Sequence, residues 1–254
     1  MRDIHFTFIV VTIECLRRLS RRVNSFILID MKRSQFKEHR KIGRPLSFDR
    51  EVALHQAMLL FWRHGYEATS LSDLTAAMGV TPPSIYGAFG DKKELFREAV
   101  KRYVSGPMTA LSIIDEAPTA RDAAWGLLQG AVIGFTGSDT PSGCLLATSA
   151  ISCSAEAADL QGELATIRLQ IEAHLKRKIV NAVKARGLPP DTDADALAGH
   201  TMAVIQGMST LARDGASREK LKRVAAQSML AWPSSGPTPG LKRGQRTRSR
   251  APTS

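Results

Sequence analysis

Residues 79–89 read GVTPPSIYGAF, and the placement of Pro82 and Pro83 decides how this stretch folds. Proline lacks a backbone N–H and its ring clashes with the preceding turn, so it is excluded from helix interiors. It is accepted in the first turn, where N–H groups have no intrahelical partner. The two prolines therefore mark a helix start. Thr81 precedes them as an N-cap residue, and the first amide left for its hydroxyl is that of Ser84. The helix predicted from this start is short, running from Pro82 to about Phe89 and Gly90. Ile85 and Phe89, four apart, share its buried side and leave Pro83, Ser84, Tyr86 and Gly87 exposed. That exposed side has little bulk, which suits a surface that approaches a partner closely.

Working outward, Ser47 precedes a pattern with Leu54, Ala57, Met58 and Phe61 on one side and Gly65 as a stop, which predicts a first helix over residues 48–64. Ser70 with Asp73 forms a capping box that opens a second helix through Met78, ended by Gly79. Asp91 with Glu94 forms another, opening a fourth helix whose Leu95, Phe96, Ala99, Val100 and Tyr103 point inward until Gly106 and Pro107. The second helix, the turn at Gly79–Thr81 and the third helix have the layout of a helix-turn-helix. Leu74, Met78, Val80 and Ile85 are its packing positions, and Gly79 stands where a positive φ is needed. The competing description is an ordinary helical hairpin.

Residues 43–100 resemble the DNA-binding domain of the TetR/AcrR family of bacterial transcriptional regulators. The resemblance rests on FWRHGYEATSLSDL, GVTPPSIYGAF and DKKELF in that order and spacing. It implies that the third helix enters the major groove, that Tyr86 and Lys92 contact phosphates, and that Thr69 or Ser70 does the same. Two positions depart from the family pattern. Thr75 stands where alanine is usual, and Pro82 replaces a frequent lysine, which removes a phosphate contact from each recognition helix.

Elementary chemistry supports these roles. Helix N-termini at Ser70, Pro82 and Asp91 present free amides and a partial positive charge to phosphate oxygens, although the prolines remove two donors from the third helix. Base reading then rests on the Ser84 hydroxyl, on contact between Pro82 or Pro83 and thymine methyls, and on the small Gly87 and Ala88. The prolines thus give a rigid, compact probe whose affinity comes largely from phosphates. Residues 41–45, KIGRP, read either as a minor-groove arm with Arg44 inserted or as a solvated linker.

Composition agrees with a polyanionic partner: the 254 residues carry a formal net charge of +11 and 43% apolar residues. The basic residues concentrate between Met31 and Arg50 and again from Lys242 to Arg250, in a tail rich in Pro, Gly, Ser and Thr that reads as disordered. Residues 1–42 read as a weakly ordered extension. Its apolar run at 6–13 is far shorter than the roughly 20 residues of a membrane span, and it lacks the order of a secretory signal. Met31 is an alternative start of translation. No other stretch is apolar enough to cross a bilayer, so the chain is expected to be cytoplasmic. Cys15, Cys144 and Cys153 are an odd number without metal-ligand or disulfide spacing.

The chain therefore divides into the extension 1–42, the DNA-binding domain 43–106, a helical domain 107–232 and the tail 233–254, in an all-α fold. In the helical domain, residues 121–136, 143–153, 193–213 and 218–232 read as helices. Leu160, Leu164, Ile167, Ile171, Leu175, Ile179 and Val183 trace one of about twenty-five residues. The resemblance implies that this half binds a small effector and that its last two helices pair with those of a second subunit, giving a homodimer on double-stranded operator DNA. A pocket lined by Trp125, Phe135, Cys144 and Met202 would take an apolar or aromatic ligand.

No nucleophile elbow, P-loop or dinucleotide fingerprint is present, so neither an enzyme nor a cofactor is expected. Asp191, Asp193 and Asp195 lack calcium-loop spacing and suit a helix N-terminus, and His174 and His200 stand alone. The expected function is a ligand-released regulator, with a thiol-redox regulator acting through Cys144 or Cys153, or an effector-independent DNA-packaging protein, as the alternatives.

Overall fold

Three of the four helices of the N-terminal part start at a side chain that accepts from a free amide. In the computed structural model, which describes residues 48–106, 108–151 and 153–233, α1 spans Arg50–His64. Its N-cap is Asp49, whose carboxylate accepts from the Glu51 and Val52 amides at 2.9 and 3.1 Å. The helix thus begins two residues later than Ser47 suggests. It ends at Gly65, with φ 82°. α2 (Leu71–Met78) carries the reciprocal Ser70–Asp73 box and ends at Gly79, whose φ of 66° reverses the chain toward α3.

α3 spans Pro82–Phe89, as the prolines dictate. Its cap differs from the expectation. The Ser84 amide donates to the Thr81 carbonyl at 2.9 Å, and the Thr81 hydroxyl instead meets the Ser84 hydroxyl at 2.9 Å. α4 spans Lys92–Val104 and ends at Ser105; Asp91 accepts from the Glu94 amide, but Glu94 turns its carboxylate to Arg97, so the cap is one-sided. The core of this part holds Phe61, Leu74, Ile85, Leu95 and Phe96, each at most 1% exposed. Phe61 meets Phe96 edge-on at 5.1 Å between centroids.

The remaining helices are α5 (Ala110–Glu116), α6 (Ala120–Phe135), α7 (Leu145–Thr148), α8 (Ala158–Lys184), α9 (Ala194–Arg213) and α10 (Arg218–Ser228). The fold is all-α, as expected. α5 is an addition to the sequence reading; Ile113 on it lies so near α6 that a Cβ on Gly126 would come within 2.8 Å of it. Residues 143–153, expected as a helix, give only the single turn of α7. The carbonyl that would extend it is engaged elsewhere: Ser149 accepts from the Tyr66 amide at 2.7 Å. The Cys144 amide is held by the Ser209 hydroxyl of α9 at 2.8 Å. On α8 the expected stripe is present, with Leu160, Leu164, Leu175 and Ile179 buried.

Candidate nucleic-acid interface

α2 and α3 are held against α1 and α4 by Leu74, Met78, Ile85 and Phe89, all buried. This leaves Pro82, Pro83, Tyr86 and Gly87 exposed on α3, with Tyr86 52% accessible and Ser84 partly so. A Cβ added at Gly87 would meet nothing within 4 Å. The fold itself therefore does not require glycine there.

Of the residues implied as phosphate contacts, Thr69 is displaced from that role. It is 1% exposed and its hydroxyl donates to the Gly65 carbonyl at 2.6 Å, closing the α1–α2 turn. Ser70 is exposed, yet its hydroxyl lies 2.6 Å from Asp73, which also accepts from the Ser70 amide. These hydrogen bonds hold the Asp73 carboxyl below the usual range, so the α2 N-terminus carries its own anion. Lys92 stands beside α3 with its ammonium 4.3 Å from the centre of the Tyr66 ring. Burial pushes its pKa down, and Glu67 opposes that shift. Arg44 lies outside the described residues.

Arg50, which the sequence marks only as the end of a basic run, holds α3 in place. Arg50 pairs with Glu98 of α4 at 2.6 and 2.7 Å and donates to the Ala88 carbonyl at the end of α3. Its guanidinium lies 4.4 Å from the centre of the Phe89 ring. Arg50 therefore fixes the C-terminal end of α3 to both α1 and α4. Periodicity gave no signal for it, because the first residue of a helix with a charged side chain reads as solvated.

Three of the four residues expected to line an effector pocket share one apolar cluster. Phe135 is buried in the core of the helical half, with Trp125 and Cys144 against it, while Met202 is buried outside that cluster. Tyr103 donates to the Cys144 sulfur at 3.4 Å. A groove of about 280 Å3 between α4 and α8 is lined by none of the four. Asp193 caps α9 through the Asp195 and Ala196 amides. His174 bonds Asp115 at 2.6 Å, and His200 meets the Ser228 hydroxyl at 3.2 Å. Among the described residues no helix is long and apolar enough to cross a membrane.

Residues 53–99 match the family model described as bacterial regulatory proteins, tetR family, and residues 125–228 the tetracyclin repressor-like C-terminal domain. The HTH-type transcriptional repressor ComR of Escherichia coli (strain K12) is 37% identical over 194 residues, which cover 75% of this chain and 92% of the relative. The repressor BdcR of the same organism is 28% identical over 194 residues, 76% of this chain and 93% of its own. Among solved structures, a cysteine-substituted form of the TetR family regulator CifR in complex with 26 bp operator DNA is 36% identical. It superposes with a TM-score of 0.71, covering 75% of this chain and 100% of that one. With both halves matched and the α2–α3 unit built as the sequence dictates, the chain belongs to the TetR family of bacterial transcriptional regulators.

Proposed function

We propose that the protein is a cytoplasmic repressor that binds double-stranded operator DNA as a homodimer and is released by a small apolar effector. The carrying observation is the outward side of α3. Two prolines, Tyr86 and an unobstructed Gly87 stand free of the core on a helix clamped at its far end by Arg50. Such a helix reads bases by Ser84 and by apolar contact, and it takes its affinity from phosphates through the α4 N-terminus, Lys92 and Tyr86, because Pro82 and Pro83 have no amide hydrogen and the Ser84 amide is bonded to Thr81. The similarity to ComR and BdcR, both repressors, and to CifR, solved on its operator, supports this reading. Release through a thiol is the weaker alternative, because burial pushes both the Cys144 and Cys153 thiols up and so suppresses the reactive thiolate.

Binding to operator and scrambled DNA over a salt series tests the docking. Lys92→Ala should weaken both alike and flatten the log–log salt slope by about 0.9 for each phosphate it no longer neutralises. Ser84→Ala should shift preference at one or two base pairs, by roughly 1–3 kcal/mol, with the slope unchanged. Tyr86→Phe should be sequence-independent without a slope change. A Lys92→Ala variant with altered sequence preference, beside a Ser84→Ala variant without one, would contradict this orientation.

A further inference from the structure

α4 and α8 face each other with a ladder of charges that steps by four residues on both helices. Lys93 pairs with Asp159 at 2.9 Å, and Arg97 with Asp159 and Glu163, each at 2.8 Å. The next step brings Lys101 opposite Ile167, where the acidic series 159, 163 stops. Both residues border the groove of about 280 Å3, whose walls are Phe96, Val100 and Val104 of α4 and Leu160, Leu164 and Ile167 of α8. Glu163, also at this rim, is engaged by Arg97. Lys101 forms no salt bridge among the described residues and stands exposed at the groove's edge. The rim therefore has one more cation than it has anions, beside an apolar slot.

From this juxtaposition we infer that the groove binds an amphipathic carboxylate: its apolar chain lies between α4 and α8, and its carboxylate supplies the missing third rung at Lys101. Charge complementarity selects the anion, since an apolar neutral molecule would fill the slot but leave the rung open. The site rests on the effector reading for its consequence. α4 carries Glu98 on another side, and Glu98 holds Arg50 and thereby the end of α3. A ligand that separates α4 from α8 displaces the element to which α3 is fixed.

Calorimetry on the full chain with decanoate and with decanol, a matched anionic and neutral pair, tests the site. Decanoate should bind roughly two- to fivefold more tightly than decanol, the scale of an exposed ion pair. Lys101→Met should bring decanoate down to decanol while leaving decanol unchanged. Ile167→Glu, which gives the third rung a carboxylate of its own, should remove the preference for decanoate. Equal binding of the two probes, no binding of either, or decanoate binding indifferent to Lys101→Met would overturn the site. Operator titrations with decanoate then separate the two readings. Release of the unsubstituted protein but not of Lys101→Met supports both. Lys101-dependent binding with unchanged operator affinity upholds the site and overturns release through it. Equal release from both forms overturns the site as the place where the probe acts.

Discussion

Arg50 and Gly87 act on α3 from opposite directions, one holding it in place and the other clearing its outer side. Arg50→Met leaves Glu98 and the Ala88 carbonyl without their shared donor, and should lower stability by about 1–2 kcal/mol. Operator affinity should fall as well, with the salt slope retained, because this guanidinium is turned to Glu98 rather than to DNA. A slope reduced by about 0.9 would show that it touches a phosphate. For Gly87→Ala the signs oppose each other. Thermal unfolding should show about 0.5–1 kcal/mol more stability, since a helix-interior glycine gives way to alanine with no neighbour within 4 Å. Operator binding should weaken; unchanged binding would mean that α3 does not sit close to the bases. The surroundings of Gly87 were legible from its place on a short helix of known phase. Those of Arg50 and Thr69 were not, because both depend on partners distant in sequence or on a turn whose closure only the fold reveals.

At the scale of elements, helices whose caps are local came out of the sequence nearly whole. α3 starts at Pro82 and α2 stops at Gly79 because proline and glycine act on their own backbone. α7 was misread for the converse reason: the Ser149 carbonyl and the Cys144 amide at its ends are claimed by Tyr66 and Ser209, tertiary partners that no local pattern records. The α4–α8 ladder makes a test at this scale. The hydrogen bond and charge of Lys93, then hydrogen bonds from the Leu160 amide and from Arg97, hold the Asp159 carboxyl below the usual range. A depressed acid contributes fully above its unfolded pKa of about 4 and loses that contribution as pH falls through the lower folded value. Hydrogen exchange of the α4 amides should therefore accelerate selectively below about pH 4. Asp159→Asn should flatten that response, and an identical acid response in the variant would show that the ladder does not hold α4.

For the whole molecule, the proposed two-fold assembly rests on the outward side of α9. Val204 and Leu211, apolar residues of α9, pack against the core of the helical half. Ala203 and Gly207, four apart and exposed, are the better probes, and a Cβ at Gly207 meets nothing within 4 Å. Ala203→Glu and Gly207→Glu should leave the monomer folded, abolish dimers in sedimentation and weaken operator binding together. Monomers that bind the operator normally would contradict the two-fold arrangement. A helical period marks which residues of α9 are apolar but not which of two apolar neighbours each one meets. The most direct measurement for the account is selection of genomic fragments by the purified chain at physiological salt, followed by sequencing and footprinting. The account predicts one shared motif of two inverted half-sites, centred about 34–36 Å apart, bound at least about a thousandfold more tightly than scrambled DNA. Retention of fragments without a common motif, at affinities equal to that of scrambled DNA, would contradict it.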